Sequence, residues 1–66
     1  MKRKKLKIRR IVLGVGFCEM AKKIGISTQA YYKIENGISC PKLEVWKKIQ
    51  EILQLRDEEM WEIIKE

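Results

Sequence analysis

The sequence predicts an all-α domain of five short helices. Its 66 residues are 45% hydrophobic and 36% charged and include a single proline, which suits one small folded domain and argues against a disordered chain. Helix-forming residues dominate and turn residues are few, so a strand-rich fold is disfavoured. Glycines divide the apolar residues into short segments with helical spacing.

The chain begins with a run of cations. Residues 2–5 are all Lys or Arg, and we interpret residues 1–5 as a basic N-terminal arm that no core can accommodate, followed by a domain at residues 6–66. The arm either aids solubility or contacts phosphates. From Leu6 to about Leu13 the pattern predicts the first helix, with Leu6, Ile11 and one of Val12 or Leu13 turned inward.

A second and a third helix are separated by a tight turn. The second is expected from Phe17 to about Lys23, with one apolar face. Gly25 supplies the turn, and Ser27 can cap the third helix, which Gly37 ends in a left-handed conformation. Tyr31 and Ile34 of the third helix are expected in the core. The apolar face of the second helix is Met20, Ala21 and Ile24.

Two further helices complete the prediction. Pro41 suits the first position of a fourth helix at about 42–53, with its apolar stripe at Leu43, Trp46, Ile49 or Gln50, and Leu53. Three acids, residues 57–59, favour the start of a fifth helix, whose apolar side is Met60, Trp61 and Ile64. Leu55 is expected to close the core, and the residues left over, Ile52 and Ile63, indicate a small self-association patch with Trp61.

The net charge of +6 is unevenly distributed. Residues 1–50 hold 13 of the 15 cations and three acids, whereas residues 51–66 hold two cations and six acids. A polyanion is therefore the expected partner of the first three quarters of the chain, and the last quarter is expected to face away from it.

Several functional classes are disfavoured. Two cysteines without a histidine make a poor metal site, and we expect Cys18 and Cys40 to be small, buried or half-buried residues in a reduced compartment. The apolar run after the basic start is too short for a secretory signal or a membrane span. No residues suit acid–base or metal chemistry, so we expect no enzyme activity and no cofactor.

The motifs together resemble a known family. Arg10, Met20-Ala21, Ile24-Gly25-Ile26-Ser27 and Ile34-Glu35-Asn36-Gly37, with a proline before the following helix, are similar to the small lambda-repressor-like (Cro/XRE-type) helix-turn-helix proteins. That group includes phage repressors and short bacterial regulators. The resemblance covers roughly residues 6–61 and implies a bundle of five short helices in which the second and third form the helix-turn-helix.

The resemblance also implies residue roles. Bases would be read by Thr28, Gln29 and Lys33, with Tyr32 beside them, although Tyr32 is equally compatible with a packing role. Arg10 and Glu35 match a pair that the family uses as an internal salt bridge; as ordinary surface charges they would contribute at most about 1 kcal/mol. The positions expected to contact phosphates are Asn36, Gly37, Ser39 and Lys42, together with Lys5 of the arm.

One residue departs from the family pattern. Phe17 stands where the family commonly has a glutamine that binds a phosphate. Either the start of the second helix approaches DNA through backbone N–H groups alone, or Phe17 folds inward and the docking angle differs. Gly16, in place of a Ser or Thr, also makes a weaker cap.

These features predict a cytoplasmic, bacterial or phage-encoded regulator that binds double-stranded DNA. We expect a repressor that binds a palindromic operator as a homodimer through its C-terminal region at Ile52, Trp61 and Ile63. One alternative is an antitoxin or a mobile-element accessory protein, which would also bind DNA. Another is a protein-interaction module that uses the acidic C-terminal helix.

Overall fold

A computed structural model describes residues 2–65 and contains five α-helices in that range. They are α1 (Lys4–Val12), α2 (Phe17–Ile24), α3 (Thr28–Glu35), α4 (Leu43–Leu53) and α5 (Asp57–Lys65). The all-α prediction is therefore confirmed. Met1 and Glu66, the outer ends of the predicted arm and domain, lie outside the described residues.

The core lies where α2 packs on α3 and α4, and α1 closes it from the side of α3 and α5. The predicted apolar face of α2 is buried, as are Tyr31, Ile34 and Leu55, so these predictions are confirmed. The buried hydrophobic residues are Leu6, Met20, Ala21, Ile24, Tyr31, Ile34, Trp46, Ile49, Leu53, Leu55, Met60 and Ile63.

Helix α1 buries Leu6 as predicted, but the rest of its buried face differs from the prediction. It begins at Lys4 rather than Leu6, and Ile11 and Val12 are exposed, as is Leu13. On a 3.6-residue period, Ile11 and Val12 are turned about 120–140° from Leu6. The buried stripe instead follows Leu6 at spacings of three and four, and its other two members are arginines, Arg3 and Arg10.

Most of the apolar residues predicted to face inward in α4 and α5 are buried or half-buried, and the exceptions are Leu43 and Trp61. Leu43 is exposed because it is the first residue of α4, at the edge of the core. Pro41 precedes the N-cap residue Lys42 and so is not the first helical residue. In α5 the buried stripe runs from Met60 to Ile63, three residues on, which turns Trp61 to solvent.

Helix ends are closed by specific hydrogen bonds. Gln54 has φ 53° after α4, and Arg9 donates from Nε and Nη2 to the carbonyl oxygens of Leu53 and Gln54, at 3.0 and 3.2 Å. At the start of α5 the N–H of Arg56 donates to Glu59 Oε1 at 3.0 Å, which is half of a capping box and lowers the pKa of Glu59.

Candidate nucleic-acid interface

Helix α3 separates its side chains into an inner and an outer face. Tyr31, Ile34 and Glu35 are buried, and the four predicted base-reading side chains are exposed. The outer face therefore carries a hydroxyl, an amide, a phenol and an ammonium group, all groups that can hydrogen-bond to base edges or phosphates. These four residues are Thr28, Gln29, Tyr32 and Lys33.

The start of α3 is fixed by its predicted cap and turn. Ser27 Oγ accepts a hydrogen bond from the N–H of Ala30 at 3.1 Å, which confirms the predicted N-cap. Gly25 ends α2 with φ 91°, a left-handed conformation that L side chains rarely adopt. Thr28 Oγ1 lies 3.7 Å from Cys18 Sγ of α2, so the first residue of α3 is held beside the start of α2.

The end of α3 is a Schellman motif. Gly37 has φ 73°, its N–H donates to the Ile34 carbonyl at 3.2 Å, and the N–H of Ile38 donates to the Lys33 carbonyl at 2.9 Å. The predicted left-handed glycine is thus confirmed. The N–H of Ser39 also donates to the Lys33 carbonyl, at 3.2 Å.

These bonds limit the predicted phosphate contacts of the segment. The N–H groups of Gly37 and Ser39 are already donated to α3, so Gly37 offers no free donor and serves to end the helix. Asn36 Nδ2 donates to the Tyr32 carbonyl at 2.8 Å, which occupies one of its two amide hydrogens. The Ser39 hydroxyl and the exposed Lys42 ammonium remain as donors on this side of α3.

A buried ion pair joins α1 to the inner face of α3. Arg10 donates from Nε to Glu35 Oε1 at 2.7 Å and from Nη2 to Oε2 at 3.2 Å, and the side chains are only 8% and 4% exposed. Tyr31 Oη donates to Glu35 Oε1 at 3.1 Å. Burial and the Glu35 charge raise the pKa of Tyr31. The hydrogen bond to Glu35 raises that of Arg10, so Arg10 stays charged and Tyr31 neutral.

Phe17 is half-buried and packs against this ion pair and Tyr31. Its ring meets Tyr31 edge-on at 5.7 Å between centroids and lies 6.1 Å from Tyr32. The Arg10 guanidinium carbon stands 4.3 Å from the Phe17 ring centroid, within cation–π range. Of the two arrangements expected for Phe17, the structure matches the inward one, and Tyr32 remains half exposed beside it.

The N-terminal cations fall into three environments. Lys5 lies at the junction with α5, where its Nζ is 3.0 Å from Glu62 Oε2, and so it is not grouped with the outer face of α3. Lys2, Lys4 and Lys7 instead line a groove of about 580 Å³ between α1 and α3, whose other wall includes Tyr32 and Asn36. The basic surface beside α3 therefore comes from cations other than the predicted Lys5.

Arg3 occupies the third environment, and sequence reasoning missed it. The expectation that no core accommodates this run is wrong for Arg3, which is 6% exposed and donates from Nη1 to the carbonyls of Ile34 and Ser39. A signal was present: Arg3, Leu6 and Arg10 follow the i, i+3, i+7 spacing of one helix face.

The cysteines, possible metal ligands and helix lengths bear on the remaining predictions. Cys18 and Cys40 are both exposed, so the expectation that they are buried or half-buried is wrong. Residues 2–65 contain no group of three or more His, Cys, Asp or Glu placed to hold a metal ion. Within that same range, every helix is too short or too polar to cross a membrane.

Comparison with known proteins gives one family match. The family described as "Helix-turn-helix", of Cro/C1 type, matches residues 19–60, which is more than half of the chain and runs from the third residue of α2 to the start of α5. No curated protein and no solved structure matches significantly. The matched segment contains the capped turn, the exposed face of α3 and the Schellman motif described above.

Proposed function

The chain belongs to the helix-turn-helix family of DNA-binding transcriptional regulators, and we propose that it is a repressor that binds a palindromic operator as a dimer. The observation that carries this proposal is the polar outer face of α3, exposed on a helix whose inner face is held by the buried Arg10–Glu35 pair. A rigid support under an exposed polar face is what base recognition requires.

The side chains at the start of α3 suit the major groove, because the N-terminal end of a recognition helix contacts base edges. Gln29 can bond bidentately to an adenine, Lys33 can donate to a guanine, and the Thr28 methyl can contact a thymine. Tyr32, half exposed against Phe17, stands at the edge of this set and can reach either a base or a phosphate.

Phosphate contacts from two groups of donors would fix the orientation of α3. In the segment that ends α3 and follows it, the donors are Asn36, Ser39 and Lys42. The second group is the lysines that line the groove between α1 and α3, which Asn36 also lines, and we assign these lysines to this role in place of Lys5. Such contacts supply sequence-independent affinity, and base contacts add discrimination.

The proposed dimer surface changes from the one expected from sequence. Ile63 is 2% exposed and belongs to the core, and Ile52 is half-buried. Trp61 and Leu43 are instead both exposed, and they line one groove between α4 and α5. We therefore place the twofold contact at Trp61 and Leu43, in the groove between α4 and α5.

Selection of bound sites from random duplex DNA tests the proposal. It should return a palindrome with half-sites about 34 Å, or one helical turn, apart. Gln29→Ala should then bind the selected site about 5- to 100-fold more weakly and lose discrimination at one base pair per half-site. Glu58→Ala on α5 is the control and should bind as the parent does.

Two outcomes would contradict the proposal. A Gln29→Ala variant with unchanged affinity and selectivity would remove α3 as the reading helix. The second outcome is a selection that returns no DNA motif, together with a complex between the chain and another protein that persists in high salt. It would favour a protein partner at the acidic C-terminal helix, because binding to DNA phosphates weakens steeply as salt rises.

A further inference from the structure

Arg3 joins four parts of the molecule. Its backbone N–H donates to the Glu35 carbonyl at 2.8 Å, and its Nη1 donates to the Ile34 carbonyl in α3 and to the Ser39 carbonyl in the following loop, the latter at 3.0 Å. Its guanidinium carbon lies 5.1 Å from the ring centroid of Trp46 in α4. The residue before α1 is thus attached to α3, to the loop and to α4.

The position of Arg3 suits its charge. The last carbonyls of a helix lack intrahelical partners and form the negative end of the helix dipole, so a guanidinium there both donates hydrogen bonds and complements the dipole. Arg3 meets two of the last carbonyls of α3, those of Ile34 and Glu35. The neighbouring Lys2 and Lys4 are exposed, so this role belongs to the arginine alone among the three.

The arrangement carries a cost for stability. Arg3 Nε is buried and has no hydrogen-bond partner among the described residues. A buried unpaired donor and a desolvated guanidinium both disfavour the folded state, and they offset part of the stability that the hydrogen bonds of Arg3 contribute. The benefit of an arginine here is therefore geometric, since a planar guanidinium can bridge two carbonyls and stack on a ring.

We propose that Arg3 is a positioning residue for DNA recognition. It holds the end of α3 and the loop at one distance from each other, and so fixes Ser39 and Lys42, the proposed phosphate contacts, relative to the base-reading side chains of α3. Arg3 itself touches no DNA. This inference rests on the proposed function, because the positioning has its effect only when both sets of contacts are made to one duplex.

The test compares Arg3→Gln with Lys4→Gln, which removes one cation from the adjacent, exposed position. Binding of each variant to the selected duplex and to an unrelated duplex of equal length is measured at several salt concentrations. Arg3→Gln should lower the ratio of specific to non-specific affinity about 10-fold, because misplaced contacts cost discrimination. Lys4→Gln should weaken both affinities alike and leave the ratio unchanged.

Hydrogen exchange of the free chain provides a second measurement. The N–H groups of Ile38 and Ser39 should exchange faster in Arg3→Gln, and the N–H of Tyr31 near the start of α3 should not. If Arg3→Gln does not fold, Arg3→Lys, which keeps the charge and loses the bridge between two carbonyls, is measured in its place with the same expected fall in the ratio.

The outcomes separate this inference from the proposed function. A parent chain that binds every duplex equally contradicts the proposed function and the role of Arg3 with it. A selective parent whose Arg3 variant keeps both its selectivity and its exchange rates contradicts only the role of Arg3.

Discussion

Helix α1 forms one ion pair with α3 and another with α5, and the two junctions differ in burial. At the α3 junction, Arg10 and Glu35 are 8% and 4% exposed and share two hydrogen bonds. At the α5 junction, Lys5 and Glu62 are 54% and 55% exposed and share one. Solvent screens the Lys5–Glu62 pair and not the Arg10–Glu35 pair. Of the two pairs, only Arg10–Glu35 can therefore hold α1 and α3 in a fixed position relative to each other.

The difference matches the functions assigned to the two sides. The junction with α3 lies beneath the face that we propose reads DNA, where a fixed orientation is needed. The junction with α5 lies on the acidic side, where the charge repels a polyanion. The arginines of the N-terminal segment brace the fold, and the lysines remain at the surface, because a guanidinium can satisfy several acceptors and an ammonium is more strongly hydrated.

The same chemical change at both junctions should give the largest contrast. Glu35→Gln leaves the Arg10 charge buried without its counterion, and we expect a loss of about 3–5 kcal/mol in the free energy of unfolding. Glu62→Gln should change it little, because both partners are exposed. Urea denaturation followed by circular dichroism measures both variants. Equal stability of the two variants would show that burial does not distinguish the junctions.

Alkaline pH should weaken the α3 junction through Tyr31. Its folded pKa is raised by burial and by Glu35, so above about pH 10 the unfolded state loses a proton that the folded state keeps. Stability should then fall by about 1.4 kcal/mol per pH unit from this group. The stability of Tyr31→Phe should fall less steeply with pH than that of the parent. The stability of Tyr32→Phe, changed at a half-exposed position, should fall as steeply as that of the parent. Thermal unfolding from pH 9 to 11 gives the slopes.

Salt dependence should separate the two sides of the molecule. Lys33→Gln removes a proposed DNA contact on α3, and the slope of log affinity against log salt should fall by about 0.9 if Lys33 also neutralises a phosphate, and by less if it contacts only a base. Lys65→Gln on α5 should leave the slope unchanged. Fluorescence anisotropy with one labelled duplex measures both. A larger change for Lys65→Gln would place the DNA on the acidic side.

The smallest expected effect lies at the α5 junction in acid. The hydrogen bond from Lys5 lowers the pKa of Glu62, so this pair contributes stability above the ordinary glutamate pKa of about 4.3 and loses it as pH falls through the folded value. In Lys5→Gln the pKa of Glu62 should rise toward its ordinary value, as NMR titration of the carboxyl carbon would measure. An unchanged pKa would show that the pair does not form in solution.

The turn chemistry of the helix-turn-helix was predictable from sequence. Ser27, Gly25 and Gly37 each have one dominant local role, and the structure places all three in it. The face buried by α1 was not predictable in the same way, because most apolar residues of that helix lie on the side away from Leu6, and two arginines take the buried positions on the same face as Leu6. The acceptors in α3 that pair with Arg3 and Arg10, the Ile34 carbonyl and the Glu35 carboxylate, lie more than 20 residues away in the chain.

The candidate site likewise has a part that was predictable from the sequence and a part that was not. The outer face of α3 follows from the periodicity of eight residues, and its four exposed side chains are where the pattern puts them. The proposed phosphate contacts were less predictable, because Lys5 turns to Glu62 of α5, a tertiary pairing, while the N–H groups of Gly37 and Ser39 are donated locally to the end of α3. Single-sequence patterns report local geometry and give little information about tertiary pairings such as Lys5–Glu62.

The central claim is that the exposed face of α3 binds DNA and the acidic end does not. It is tested most directly by recording backbone amide chemical shifts while the selected duplex is added to the labelled chain. The largest shifts are expected at residues 28–33 and 39–42, and shifts in α5 are expected only at Trp61, where we propose that two copies meet. Shifts centred on α5, with residues 28–33 unchanged, would contradict it.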